Sequence, residues 1–202
     1  GVTVGVHDFF RLAGRTDART GVLRLFKRSL RRGRGAAVAE RIQAAEAAIA
    51  PVLAHAASFA RDLERLLPPG AQTARIARDL DVASVSPAAL DQLLSALGAL
   101  ARALESLGET IDREGLAALK SEGHAARDEL HARALAWTEM ERALRSVVGL
   151  EEKGSAFYID RDDRGTPRLN RRPVRVGNEI RQTLLLLCDR VLLTSATLRA
   201  GA

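Results

Sequence analysis

The stretch 38–66, VAERIQAAEAAIAPVLAHAASFARDLERL, decides how the rest of the chain is read. Its apolar positions Val38, Ile42, Ala45, Ile49, Val52, Ala56, Phe59, Leu63 and Leu66 alternate steps of four and three without a break. That spacing lines one side of an α-helix and predicts a coiled-coil-like seam. At about 1.5 Å per residue, a helix of about 30 residues is roughly 45 Å long, more than one compact layer needs. Pro51 lacks an amide donor and is expected to kink the helix near its middle.

Downstream, Pro68 to Gly70 ends this helix, and 71–86, AQTARIARDLDVASVS, reads as a connector with a short strand or turn around Ile76. Ser86 and Pro87 restart a helix as its cap and first residue. The seam spacing returns at Leu90, Leu94, Leu97, Ala101, Leu104 and Ile111. After a weak point near Gly108 or Gly115 it resumes at Leu130, Ala134, Trp137, Met140, Leu144 and Val147. Trp137 and Met140 fall on this stripe and read as core. Helices this long, each with one apolar stripe, can bury those stripes only against one another, so the fold expected is mainly α, an elongated antiparallel bundle.

Both ends of the chain break the pattern. Gly1 to Val6 reads as a short strand, after which Asp8 can cap a turn carrying Phe9, Phe10 and Leu12. Beyond the loop GRTDART (14–20), Val22, Leu23, Leu25, Phe26 and Leu30 share a helix face, with Arg24, Lys27, Arg28, Arg31 and Arg32 around the other. That helix stops at GRG (33–35). At the far end, Ala156 to Ile159, the turn DDRGTP (162–167), Leu169 and a basic run toward Pro173 predict a hairpin. A short helix, VGNEIRQTLLLLCD (176–189), then leads into VLLTSATL (191–198), an apolar strand running into a polar loop. Helix followed by a parallel-type strand is α/β grammar. Three parts result: 1–35, a strand and basic helix; 36–150, the bundle; 151–202, a hairpin, a helix and the closing strand.

Composition narrows the class. With 47% apolar and 28% charged residues among 202, the chain is too apolar for intrinsic disorder and has enough length for one main core. Aromatics are only 3%, so the core must come from Leu, Val, Ile and Ala. No uninterrupted apolar run approaches the roughly 18–20 residues of a membrane span, and the first residues lack a secretory pattern; the expected setting is cytoplasmic, with no membrane partner. Cys188 is the single cysteine and reads as a buried, inert thiol. The net charge of +6 is uneven. Residues 1–35 hold nine Lys/Arg against two acids, 36–150 twelve against sixteen, and 151–202 ten against seven. A polyanion near the ends, and not along the middle, fits that distribution.

The residue cluster with chemical interest is Thr194, Ser195 and Thr197, at the carboxyl end of the strand Val191–Leu193. In open α/β sheets ligands bind outside the carboxyl ends of strands, where short hydroxyl side chains can bond carboxylates, waters or a neighbouring loop. A hydroxyl-rich turn after an apolar strand is also a common structural feature. VLLTSATL resembles motif III of superfamily 2 helicases, and FYIDRDDRGTPRLNRRPVRVGNEIRQTLLLLCDR (157–190) resembles the approach to it in DinG/XPD-like DNA helicases. The opening GVTVGVHDFFRLAG and GVLRLFKRSLRRGRG (21–35) are similar to the segment soon after the DEAH box in bacterial DinG-type chains. The middle matches only as long helices of the right total length.

This resemblance implies an internal fragment of an ATP-dependent DNA helicase. On that reading the bundle is the arch-like insertion, and the ends belong to the first RecA-like motor domain. It implies that Ser195 and Thr197 couple ATP hydrolysis to the DNA-binding face, with Thr194 supporting their loop. ATP and Mg would be bound mainly outside the fragment, whose sequence contains no G-x-x-x-x-G-K-[ST] loop. Alone, the fragment is expected to be inactive and to hold no cofactor. An iron–sulfur cluster in this family lies upstream of the DEAH box and is left open. The expected partner is single-stranded or forked DNA.

Other features admit two readings each. Arg24, Lys27, Arg28, Arg31, Arg32 and Arg34 can neutralise DNA phosphates, or form a solvated face, or pair with the acidic middle segment. Arg168, Arg171, Arg172 and Arg175 form a second basic patch, with Arg171 and Arg172 taken as backbone contacts and no aromatic interleaved to stack a base. Glu122, His124, Asp128 and His131 have metal-like helical spacing but read better as a polar bundle surface. The alternative for the whole chain is a stand-alone helical scaffold or adaptor that binds a protein partner. A degenerate or nuclease-coupled helicase relative is a third.

Overall fold

In the computed structural model, residues 1–30, 35–76, 87–114, 126–150 and 154–174 are described. Five helices, α1 (Val6–Thr16), α2 (Val22–Ser29), α3 (Ala36–Leu66), α4 (Pro87–Glu114) and α5 (Arg127–Val148), hold about two thirds of these residues. Four strands, β1 (Val2–Gly5), β2 (Thr73–Ile76), β3 (Ser155–Arg161) and β4 (Pro167–Pro173), form one sheet in the order β1-β4-β3-β2. Every described pairing is antiparallel. The parallel-type strand expected at 191–193 lies outside the described residues.

The seam of α3 forms as its spacing requires. Val38, Ile42, Ala45, Ile49, Val52, Ala56, Phe59 and Leu63 are all buried, while Leu66 is half-buried and Leu67 takes its place in the core. Gly35 starts the helix in the left-handed region, at φ 83°, which glycine adopts without steric cost. The helix continues through Pro51, whose ring is exposed. By length and composition α3 is long and apolar enough to cross a membrane, which the run-based sequence reading did not anticipate. In the fold, its stripe packs on α4.

α4 is the central helix. Beyond the predicted stripe it also buries Leu93, Leu100 and Leu107, because α3 covers one side and α5 another. Gly108, read as a weak point, lies inside the helix where it passes α5. A Cβ there would come within 3.1 Å of the His131 ring. A Cβ on Gly98 would lie 3.6 Å from the Glu141 carboxylate, and Asp112 pairs with Arg127 at 2.7 Å. Ascending positions on α4 thus meet descending positions on α5, so the two run antiparallel.

The expected turn after β1 is a full helix. The Gly5 amide donates to Asp8 Oδ2 at 3.0 Å, and α1 buries Phe9, Ala13 and Thr16. The Thr16 hydroxyl accepts from Trp137 Nε1 at 3.0 Å and donates to the Leu12 carbonyl at 2.8 Å, joining α1 to α5 inside the core. Burying the indole N–H without a partner would cost about 1–3 kcal/mol. At the next bend, Asp17 Oδ1 accepts from the amides of Arg19, Thr20 and Gly21 at 2.8–3.0 Å. Gly21 itself comes so close to α1 that a Cβ would sit 2.4 Å from the Arg15 carbonyl carbon, so only glycine fits there.

The predicted hairpin is β3–β4, with register running from Ser155↔Pro173 to Arg161↔Pro167. Its tip turns through Gly165 at φ +78°, and Asp162 Oδ1 accepts from the amides of Arg164 and Thr166 at 2.9 Å. β2, inside the connector at 71–86, joins the far edge of this hairpin, so the middle segment contributes a strand to the sheet. Phe157, Ile159, Leu169, Val4 and Ile76 share one buried set with the helix stripes, and a single core runs through sheet and bundle.

Candidate nucleic-acid interface

The basic residues singled out in the sequence are placed in three different situations. On α2, Arg24 and Arg28 are exposed and have no side-chain partner among the described residues. The same helix buries Val22, Leu23 and Phe26, so the amphipathic split puts both guanidinium groups in solvent. Lys27 pairs instead with Glu46 of α3, so part of the basic face is matched by the acidic middle segment. Arg31, Arg32 and Arg34 lie outside the described residues, as do Thr194, Ser195, Thr197 and Cys188.

On β4, strand alternation separates Arg171 from Arg172. Arg171 is half-buried on the helix side and donates from Nη1 to Ser146 Oγ of α5 at 2.6 Å, so it ties the sheet to the bundle. Arg172 is exposed on the opposite face. Taking the pair together as one basic patch is therefore corrected: only Arg172 stands on the open face. Arg168, four residues earlier on that face, is held by Asp160 across the strands at 2.6 and 3.1 Å. Asp160 also accepts from Asn170 Nδ2 at 2.7 Å, and Asn170 Oδ1 accepts from Thr3 Oγ1 at 2.8 Å. A polar ladder thus crosses β3, β4 and β1 with Asn170 only 1% exposed. The hydrogen bond and charge of Asp160 raise the pKa of the Arg168 guanidinium further above its ordinary value.

The sequence interleaves no aromatic with these arginines, but the fold brings one beside Arg172. Tyr158 lies on the same face as Arg172, whose Nε is 3.4 Å from its hydroxyl, and stands directly opposite Arg75 of β2. Arg75 is exposed and has no side-chain partner among the described residues. Only the two-residue period of each strand could have signalled this grouping, and β2 gave too short a run to fix its partner.

Two further clusters flank the sheet. Arg161 Nη1 donates to Glu64 of α3 at 2.6 Å and to the Gly165 carbonyl at 2.9 Å, fastening helix end to hairpin tip. That hydrogen bond, against some burial, lowers the Glu64 pKa. At the hairpin tip, His7 Nε2 lies 3.2 Å from Thr166 Oγ1 and 3.5 Å from Asp162 Oδ2. One ring nitrogen faces both partners, so the relay of a nucleophilic triad, which uses both nitrogens, is not formed. Burial works against ionisation of Asp162, yet the amides of Thr166 and Arg164 and the nearby His7 and Arg168 leave its pKa lowered.

Among the described residues no three His, Cys, Asp or Glu side chains converge as metal ligands. Of the four residues with metal-like spacing, Glu122 and His124 lie outside the described residues. Comparison with protein families, with curated proteins and with solved structures finds no match for this chain.

Proposed function

We propose that this chain is an internal segment of an ATP-dependent DNA helicase of the DinG type. In this reading it guides single-stranded or forked DNA and relays the state of the ATP site through Thr194, Ser195 and Thr197. The bundle α3–α5 serves as the arch-like insertion, and the chain ends belong to the first RecA-like motor domain. The observation that carries the reading is the run VLLTSATL at 191–198, preceded by its hairpin and Pro-containing approach. The guanidinium groups of Arg24 and Arg28, exposed and without a side-chain partner among the described residues, support it, since each can neutralise a phosphate and release a counterion.

ATP and Mg are held by the P-loop and DEAH box that the reading places elsewhere in the longer polypeptide. This segment contributes strand guidance and coupling. The test is the double variant Ser195→Ala/Thr197→Ala in that polypeptide. DNA-stimulated ATP hydrolysis is expected to persist while unwinding of a forked duplex falls at least tenfold; unchanged unwinding contradicts the motif assignment.

A second reading, a stand-alone helical scaffold that binds a protein, draws on the single core shared by sheet and bundle. It predicts no effect of nucleotide or DNA on any property of the chain.

A further inference from the structure

The open face of the sheet carries a combination that neither strand shows alone. Tyr158 sits with exposed Arg75 on the neighbouring strand and exposed Arg172 on the other side. The only carboxylate within the four strands is Asp160, and Arg168 and Asn170 already occupy it. Among the described residues neither Arg75 nor Arg172 is paired with an acid, and both are exposed. Beside Tyr158 an open cavity of about 530 Å³ is lined by Thr73, Arg75, Ala156, Phe157, Tyr158 and Val174. Val174 is 64% exposed at its rim, so an apolar surface continues past the ring.

We propose that this face is a stacking subsite for single-stranded DNA: one base lies on the Tyr158 ring, and Arg75 and Arg172 take the phosphates on either side. A tyrosine ring offers every base the same π-face, so such a site binds without reading sequence. Arg75 stands directly opposite Tyr158, at a Cβ spacing of roughly 5 Å, and Arg172 stands on the diagonal, at roughly 7–8 Å, so both long side chains can reach past the ring to a backbone running across the strands. The polar ladder Thr3–Asn170–Asp160–Arg168 positions this face; by satisfying Asp160 it keeps a carboxylate from repelling the phosphates. The inference rests on the reading of the chain as a DNA-binding segment and adds where, and by what chemistry, an unpaired base is held.

The experiment measures binding of the full 202-residue chain to a fluorescent oligothymidylate and to an abasic strand with the same number of phosphates, at several salt concentrations. Wild type is expected to prefer the thymidylate. Tyr158→Leu should lose about 5- to 100-fold in affinity for the thymidylate, leave abasic binding unchanged, and so erase the preference. Tyr158→Phe, which keeps the ring, should bind nearly as wild type. Arg75→Gln/Arg172→Gln should weaken binding to both strands and flatten the salt dependence by about 1.4 in the logarithmic slope, two contacts at about 0.7 each. If wild type binds DNA and Tyr158→Leu, folded by circular dichroism, binds it equally well, the stacking subsite is overturned while the DNA-binding reading stands. Absence of any binding by wild type at low salt overturns both.

Discussion

At Asp17 a single carboxylate oxygen receives three backbone amides and the Thr20 hydroxyl, closing the bend between α1 and α2. Partial burial raises its pKa, but the amides of Thr20, Gly21 and Arg19 outweigh burial and leave it below the ordinary carboxylate value. A depressed pKa stabilises the fold above the unfolded carboxylate range, near pH 4, and the contribution is lost as pH falls through the folded value. Asp17→Ala is therefore expected to cost about 1 kcal/mol at pH 7, the usual worth of a capping side chain. The difference from wild type should shrink toward zero near pH 2 in urea titrations; a pH-independent difference would assign the effect to packing. Of GRTDART, read as a loop, only 17–20 form one, since Gly14 to Thr16 complete α1; the need for glycine at 21 was not legible, because it arises from contact with the Arg15 backbone. Tyr158 was read only as part of the hairpin for a related reason: its basic neighbours stand on other strands, and Arg75, directly opposite it, is 83 positions away in the chain.

Among the elements, α3 was the most legible, since its apolar period is uninterrupted and its burial follows that period nearly residue for residue. Pro51 fits within it because the carbonyl it leaves without an i+4 donor belongs to Ala47, which is exposed like Pro51 itself, and water can satisfy it. Pro51→Ala is expected to raise stability by about 1 kcal/mol, the regained hydrogen bond and helix propensity being partly offset by a freer unfolded chain. A rise in the urea midpoint with an unchanged slope would confirm it, and a fall would show that the proline sets a bend the packing needs. α4 was only half legible, because a stripe analysis assigns one buried face and this helix has two. α1 was read as a turn: Phe10 and Leu12 obscured the true inward set of Phe9, Ala13 and Thr16.

Across the whole molecule, the bundle follows from local periodicity, and the sheet does not. Residues 2–5 pair with 168–171, so β1 finds its partner only after the rest of the described chain has been placed. The meeting of α4 and α5 spans far less sequence. Loop closure favours near contacts first, so pulsed hydrogen exchange during refolding should protect the amides of α4 and α5 before those of Val4 and Leu169. Earlier protection of the β1–β4 ladder would reverse this order. The three-part division at 35 and 150 followed charge and periodicity, signals that cannot reveal that β2 crosses from the middle segment into the sheet.

Trp137 is the chain's single indole, fully enclosed and bonded to Thr16 of α1. Its emission therefore responds to the seating of α1 against α5. An unlabelled sample in a fluorimeter already carries a native reporter on that joint.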